Sequence, residues 1–241
     1  MTGPLVLLPG MNCSDRLWGP VAQRLRSEGV DSLTRPLVGA TMDDCVDSLL
    51  SSLPDRFALA GLSLGGIVAM ALVRRAPERV SMLCLMSTSS RGPTAEQRAA
   101  WTAQRQALAG GATARDVQHE LLPVLLAPRN RRAELDEWVL RMADDVGAAG
   151  LDGHLAIQGT RIDERTGLSR VTVPTLLLAG ARDVLCPPDR HTEMLRLIPR
   201  SRLEIIEGAG HLVPLEAPDQ AAAAMAAWLR AAGCRGVAAT A

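Results

Sequence analysis

The sequence predicts an α/β fold, in which a parallel sheet is flanked by helices. Short, continuous apolar runs alternate with helical patterns along the 241-residue chain, and such runs are typical of strands that are buried on both faces. The predicted strands are residues 5–8, 32–35, 57–60, 80–86, 175–179 and 202–206. The predicted helices are residues 18–27, 42–53, 64–76, 190–197 and 219–232.

Individual elements carry their own markers in chain order. Residues 5–8 are wholly apolar, whereas residues 32–35 contain one large apolar side chain and form the weakest predicted strand. Pro77 ends the helix at 64–76, because proline has no N–H group to continue the hydrogen-bond ladder. Pro218 precedes the last helix, where the first turn accepts a proline. No internal repeat interrupts this pattern.

The alternation stops between residues 91 and 168. This stretch has no strand pattern and predicts three or four helices, the first beginning with a capping box of Thr94 and Gln97. Because the sheet resumes at Thr175, we expect a helical lid over the carboxyl edge of the sheet, where ligands bind in open α/β folds. Residues 1–90 and 169–233 would then form the core, and residues 234–241 a flexible tail.

The composition excludes several classes of protein. The 26 basic and 26 acidic residues give a formal net charge of zero, unlike the positive surplus of nucleic-acid binders and polybasic membrane segments. No run approaches the roughly 20 consecutive apolar residues of a membrane span. Lysine and tyrosine are absent, which excludes Schiff-base chemistry, a lysine-containing phosphate loop and a tyrosine general acid. We predict one globular domain that binds neither nucleic acid nor membrane.

The cysteines and the start of the chain bear on metal binding and location. The five cysteines are Cys13, Cys45, Cys84, Cys186 and Cys234. Their number is odd, and no pair has the two-residue gap of a zinc or redox site, so no metal site is predicted. The first residues carry neither a basic leader nor a small-residue cleavage site. Reduced thiols without a leader predict a cytoplasmic protein.

The strongest chemical motif is Gly61-Leu62-Ser63-Leu64-Gly65, which directly follows a predicted strand and directly precedes a predicted helix. This context is that of a nucleophile elbow, a tight turn from which the central side chain projects above the sheet. The glycines allow neighbouring backbone to approach closely. The helix N-terminus directs N–H groups at an oxyanion that forms beside the serine. Ser63 is therefore the predicted nucleophile.

A serine nucleophile needs a base and a carboxylate that orients the base. His211 lies in a glycine-rich loop just after the last predicted strand and is the predicted base. Asp183 follows the preceding strand and is the predicted orienting acid, although capping of the following turn is an alternative role. Asp189 lies too far into the next helix for this task, and Glu207 lies on the loop of the histidine itself.

Taken together, these segments resemble the α/β-hydrolase superfamily over nearly the whole chain. The order Ser63, Asp183, His211 is the order of that family's triad, and Leu7-Leu8-Pro9-Gly10-Met11 is similar to its first strand-to-helix loop. The resemblance implies about six parallel strands, with the helical lid inserted after the family's sixth strand. It also implies an oxyanion hole made by the backbone N–H groups of Met11 and Leu64.

The triad and the resemblance predict a serine hydrolase without a cofactor. It would cleave a carboxylic ester or lactone of a small, largely apolar substrate through an acyl-enzyme intermediate. The same triad also serves thioester hydrolysis and carbon–carbon bond hydrolysis. A low-activity binding protein on this fold is a further alternative, because fold does not decide function.

The lid is expected to select the substrate. Its candidate substrate contacts are Trp101, Trp138, His154, Arg91 and Arg161. Packing of the lid against the core is the alternative for the apolar side chains, and a solvated or structural role is the alternative for the arginines. The expected partner is a small-molecule ester or thioester. The expected assembly is a monomer or a homodimer, the latter through residues 32–35 if they form an exposed sheet edge.

Overall fold

The computed structural model of the chain describes residues 3–233. The strands are β1 (Leu5–Leu8), β2 (Ser32–Thr34), β3 (Phe57–Leu62), β4 (Val80–Met86), β5 (Thr175–Gly180) and β6 (Ser201–Ile206). The helices are α1 (Gly19–Ser27), α2 (Met42–Ser52), α3 (Leu64–Arg75), α4 (Ala95–Ala109), α5 (Ala114–Leu125), α6 (Ala133–Gly159), α7 (Pro188–Leu197), α8 (Val213–Glu216) and α9 (Pro218–Gly233). The predicted tail at 234–241 lies outside the described residues.

The strands form one six-stranded sheet within the described residues, in the order β2-β1-β3-β4-β5-β6. Every neighbouring pair is parallel, which confirms the predicted fold class. β3 is two residues longer than predicted, because Gly61 and Leu62 continue the ladder opposite Leu85 and Met86. The short strand β2 lies at one edge of the sheet, the position that was considered for residues 32–35.

The core consists of an apolar layer on each face of the sheet. Side chains of a strand alternate between faces, so Leu5 and Leu7 pack in one layer with α1 and α9. Val6 and Leu8 pack in the other layer with α2, α3 and α7. Both layers are fully buried at these positions. The sheet is therefore held from both sides, and its carboxyl edge is a fixed platform for the loops that leave it.

Helices α4, α5 and α6 lie between β4 and β5. Together with their connections they form the helical insertion, residues 91–168. The predicted capping box at Thr94 and Gln97 begins α4. α6 bends at Gly147, which has φ 68° and ψ 171°, a backbone conformation that glycine adopts without a Cβ clash. None of the helices within residues 3–233 combines the length and apolarity needed to span a bilayer.

Candidate active site

Ser63 lies at the turn between β3 and α3, and the backbone there is strained. Its φ of 54° and ψ of −115° lie in a region that non-glycine residues rarely adopt. The turn is tight because Gly61 and Gly65 lack side chains. A Cβ at Gly61 would collide with the carbonyl oxygen of Gly65, and one at Gly65 with that of Leu8. The local geometry is that of the predicted nucleophile elbow.

Two backbone N–H groups of the loops around Ser63 lack a hydrogen-bond partner among the described residues. β1 and β3 are neighbours with Leu8 opposite Gly61, so the loop after β1 lies beside the turn after β3. Neither the Met11 N–H nor the Leu64 N–H donates a hydrogen bond to any residue between 3 and 233. Leu64 also begins α3, where the helix dipole favours negative charge. The placement suits the predicted oxyanion hole.

His211 and Asp183 are joined at the ends of β6 and β5. Nδ1 of His211 lies 2.9 Å from Oδ2 of Asp183, and both side chains are buried. Burial alone would raise the pKa of Asp183, but the adjacent His211 and backbone N–H donors lower it below its ordinary value. The carboxylate is therefore charged at neutral pH, where it fixes the imidazole orientation.

Asp183 makes the contacts that each of its two predicted roles requires. Its second oxygen, Oδ1, accepts hydrogen bonds of 2.9 Å from the backbone N–H groups of Leu185 and Cys186. The turn is thus capped by one carboxylate oxygen while the other holds His211. The competing carboxylates of Asp189 and Glu207 are on exposed residues. The side chain that orients His211 is consequently locked in place before any substrate binds.

The loop that carries His211 is tied to the helical insertion. The N–H groups of His211 and Leu212 both donate to the carbonyl oxygen of Leu125, at 3.1 Å and 3.2 Å. Glu216 accepts from the Gly210 N–H at 2.9 Å and from the Ala127 N–H at 2.8 Å. The end of α5 therefore fixes the position of the predicted base.

The loop that carries Met11 is tied to the same insertion. The Asn12 N–H donates to Nδ1 of His154 at 3.1 Å. The Asn12 side-chain amide donates to the carbonyl oxygen of Ala114 and to Oε1 of Gln118, both at 2.9 Å. Asn12 has a φ of 57°, a left-handed conformation that asparagine tolerates better than most residues. Helices α5 and α6 thus hold the residue that follows Met11.

Ser63 and His211 both line one cavity of about 360 Å³, the Ser63 cavity. This volume is within the usual range of small-molecule sites. The sheet side contributes Gly10, Met11, Cys13, Leu62, Ile67 and Thr88. The insertion contributes Arg91, Gln97, Trp101, Gln104, Gln118, Leu121, Leu125, Gln158 and Arg161. No aspartate or glutamate is among the described residues that line it.

The predicted substrate contacts separate into two groups. Trp101, Arg91 and Arg161 line the Ser63 cavity, whereas Trp138 and His154 do not. The structure corrects the expectation for Trp138, which is 39% exposed on the outer side of α6, where its indole N–H reaches the Arg16 carbonyl. It also corrects the expectation for His154, which is buried behind the Met11 loop.

The sequence did not single out the polar amides of the cavity. Gln97, Gln118 and Gln158 line it, and no spacing in the sequence distinguishes them from other glutamines. His191 on α7 is fully buried, where its Nε2 accepts a hydrogen bond from the Thr88 N–H at 3.2 Å. α7 packs against β5, which covers this face.

The thiol in the cavity and the possible metal ligands of the described chain bear on the choice of nucleophile. Cys13 also lines the cavity, but burial raises the pKa of its thiol to about 12, so that little thiolate exists at neutral pH. Among residues 3–233, no group of three or more histidine, cysteine, aspartate or glutamate side chains is placed to hold a metal ion.

Comparisons with known proteins agree with this geometry. A family model described as alpha/beta hydrolase family matches residues 5–224. The chain is 32% identical over 240 residues to a pimeloyl-[acyl-carrier protein] methyl ester esterase of Nitrosomonas europaea, covering 90% of this chain and 92% of that protein. A protein of the same name from Aromatoleum aromaticum is 29% identical, with 90% and 94% covered.

A solved structure has a similar fold. It is that of a thermophilic esterase from Thermogutta terrifontis with malate bound, which superimposes with a TM-score of 0.87 at 26% identity and covers 95% of this chain and 90% of its own. The family model spans most of the chain, and the sheet order and the elbow are consistent with it. The chain therefore belongs to the alpha/beta hydrolase family.

Proposed function

We propose that the protein is a serine esterase that cleaves a carboxylic ester through an acyl-enzyme at Ser63. One observation carries the proposal: Ser63, on a strained turn, shares one cavity with His211, whose other ring nitrogen is held by Asp183. The relatives named as methyl ester esterases and the structural neighbour named as an esterase support the ester class. The prediction of an ester-cleaving serine hydrolase agrees with them.

The first half of the reaction forms the acyl-enzyme. Nε2 of His211 removes the proton of the Ser63 hydroxyl as the oxygen attacks the ester carbonyl carbon. The negative charge that develops on the carbonyl oxygen is stabilised by the N–H groups of Met11 and Leu64. The C–O bond to the alcohol then breaks, and protonated His211 gives its proton to the departing alkoxide. Asp183 stabilises the positive charge of His211 during this step.

The second half releases the acid. A water molecule takes the place of the alcohol, His211 removes its proton, and the hydroxide attacks the acyl carbon. The same two N–H groups stabilise the second oxyanion. When the bond to Ser63 breaks, His211 returns the proton to the serine oxygen, and the carboxylic acid leaves. No step needs a metal or an organic cofactor, because the triad supplies both the base and the acid.

The helical insertion acts, in this proposal, as the lid that selects the ester. It supplies much of the lining of the Ser63 cavity and anchors both loops that flank Ser63. The names of the relatives point to methyl esters, so a small alcohol is the first leaving group to test.

Cys13, Cys45, Cys84 and Cys186 are free thiols, which supports the proposed cytoplasmic location.

The test is hydrolysis of p-nitrophenyl esters of increasing acyl length by the wild type and by Ser63→Ala. We expect Ser63→Ala to lose at least about 10⁴-fold in kcat, since the nucleophile is removed, while circular dichroism stays unchanged. Ser51→Ala, an exposed serine of α2, is the matched control and keeps full activity. An unchanged rate in Ser63→Ala contradicts the proposal. Turnover of thioesters without turnover of oxygen esters would show that the substrate is a thioester and not an oxygen ester.

A further inference from the structure

Arg161 is a buried cation in the wall of the Ser63 cavity. It follows the end of α6 and is 7% exposed. Its Nη1 donates to Oε1 of Gln158 at 3.0 Å, and its Nη2 donates to Oε1 of Gln97 at 2.9 Å. The guanidinium lies 5.1 Å from the ring centre of Trp101, a cation–π arrangement that orients it. Its position is therefore fixed from three sides.

No carboxylate of the described chain forms an ion pair with Arg161. The neighbouring arginines differ in this respect, because Arg91 pairs with Glu193 at 2.9 Å and Arg165 pairs with Asp163. Both oxygens that Arg161 contacts belong to neutral amides. Its Nε–H is buried and has no hydrogen-bond partner among residues 3–233. A buried charge without a counter-ion costs several kcal/mol, so the arrangement is incomplete as it stands.

The neighbouring thiol does not complete it. Cys186 lies close enough to interact with Arg161, but desolvation raises the pKa of the Cys186 thiol. The thiol is then neutral at physiological pH. Burial lowers the pKa of Arg161 from its ordinary value, yet a guanidinium stays protonated in proteins. The charge of Arg161 therefore faces a cavity whose described lining contains no acidic side chain.

We propose that Arg161 binds an ionised carboxylate of the substrate, so that the preferred ester is the half-ester of a dicarboxylic acid. The inference rests on the ester hydrolysis proposed above and names its substrate class. A guanidinium binds a planar carboxylate in a two-point contact through its Nε–H and a neighbouring N–H, and the Nε–H of Arg161 is the donor that has no partner among residues 3–233. The amide Nε2 of Gln118, which also lacks a partner among the described residues, is a further donor on the same cavity.

A purely structural role for Arg161 predicts different behaviour. In that case the guanidinium would serve only to join α4 to the end of α6 through Gln97 and Gln158. Its loss would then weaken the hydrolysis of charged and neutral esters alike. A carboxylate-binding role makes the loss depend on the charge of the substrate. The ratio between two esters of equal length separates these roles, because general damage to the site cancels in the ratio.

The experiment compares monomethyl and dimethyl esters of succinate, glutarate, adipate and pimelate. For the best chain length, we expect the wild type to prefer the half-ester in kcat/KM by about thirtyfold, as for a buried charge pair. Arg161→Gln should bring this ratio close to one, and Arg161→Lys should retain part of it. Arg105→Gln removes the exposed ion pair between Arg105 of α4 and Asp152 of α6. It is the matched control and should keep the wild-type ratio.

Binding of glutarate, measured by calorimetry on the wild type and on Arg161→Gln, separates the two proposals. We expect binding at least about tenfold weaker in the variant. Equal rates for half-ester and diester, without glutarate binding, overturn the carboxylate site and leave the esterase standing. Arg161-dependent glutarate binding without turnover of any ester overturns the esterase and leaves the site. If Arg161→Gln does not fold, the kcat/KM ratio of half-ester to diester in the wild type and in Arg161→Lys tests the carboxylate site.

Discussion

The two walls of the Ser63 cavity differ in how they present their polar groups. The sheet wall contains Ser63 on a strained turn and the backbone of Met11, and in the proposed mechanism the N–H groups of Met11 and Leu64 face the oxyanion. The insertion wall offers long side chains, among them Gln118 from α5 and Arg161 from the segment just after α6. Backbone groups at strand ends have little freedom to move, whereas the side chains of the insertion can differ without any change of fold.

This difference suggests a division of labour. In the proposed mechanism, bond cleavage takes place at the wall whose geometry the sheet enforces, and the substrate is selected by the wall that consists of exchangeable side chains. The division is not complete, because the insertion also anchors both catalytic loops. Asn12 is bound by His154 from α6, and the His211 loop is bound by the Leu125 carbonyl of α5. Substitutions on the two walls should therefore affect different kinetic parameters.

The largest effect among these substitutions is expected for Asp183→Asn on the sheet wall. The amide cannot hold the charged, correctly oriented His211, so kcat should fall by about 10³-fold or more with little change in KM. Steady-state kinetics with a p-nitrophenyl ester measure both parameters. The control is Asp189→Asn, an exposed neighbour on α7, which keeps its activity. Full activity in Asp183→Asn would remove Asp183 from the catalytic machinery.

A smaller effect is expected at His154, where the insertion supports the sheet wall. His154→Leu leaves the Asn12 N–H without its acceptor, which loosens the loop that carries Met11. We expect kcat to fall about tenfold, less than for complete loss of an oxyanion donor, while KM changes little. His154→Gln, whose carbonyl accepts a hydrogen bond, should recover part of kcat. His119→Leu, an exposed histidine of α5, is the control.

The kcat-to-KM split makes the His154 prediction specific. If His154→Leu raises KM and leaves kcat unchanged, the residue contacts substrate and does not act through the oxyanion loop. Such a result would contradict a supporting role for His154 at the Met11 loop, because this side chain of the insertion would then affect substrate binding alone.

The smallest expected effect is on the pH dependence of the free energy of unfolding. Burial lowers the pKa of His154 and of His191 to about 4, so both are neutral in the folded protein. In the unfolded chain they take up protons near pH 6.5. The stability that each contributes is complete above that pH and is lost as the pH falls toward 4. Between pH 7 and pH 5.5, each histidine should cost about 1 kcal/mol of unfolding free energy.

Urea unfolding at the two pH values measures this loss. His191→Gln should reduce the pH-dependent loss by about 1 kcal/mol, and the exposed His119→Gln should not change it. A wild type whose unfolding free energy does not change between pH 7 and pH 5.5 would show that the two buried histidines are protonated in the folded state as well.

The sequence predicted the sheet wall in detail because its features are local. A strand, a glycine-bounded serine and a helix follow one another within residues 57–75, and Asp183 and His211 each follow a strand of a parallel sheet. The carboxyl ends of such strands meet at one edge, so their order along the chain was enough to predict that Ser63, Asp183 and His211 follow strands at the same edge of the sheet. Four strands differ from prediction at one end: β2, β5 and β6 by one residue and β3 by two.

The insertion wall could not be predicted in the same way, because it depends on contacts between distant residues. Asn12 and His154 are 142 positions apart, and no pattern in either segment points to the other. Trp138 belongs to an apolar stripe by spacing, yet its position on α6 places it outside. Arg161 was one arginine among many in the sequence. Only its burial without a carboxylate distinguishes it.

The most direct test of the central claim is to trap the acyl-enzyme and locate it by mass spectrometry. The wild type, mixed with a p-nitrophenyl ester and quenched in acid within the first turnovers, should gain the mass of one acyl group on the peptide that contains Ser63. Ser63→Ala should gain none. Acylation of Cys13 or Cys186 instead, or full turnover by Ser63→Ala, would contradict the assignment of Ser63 as the nucleophile.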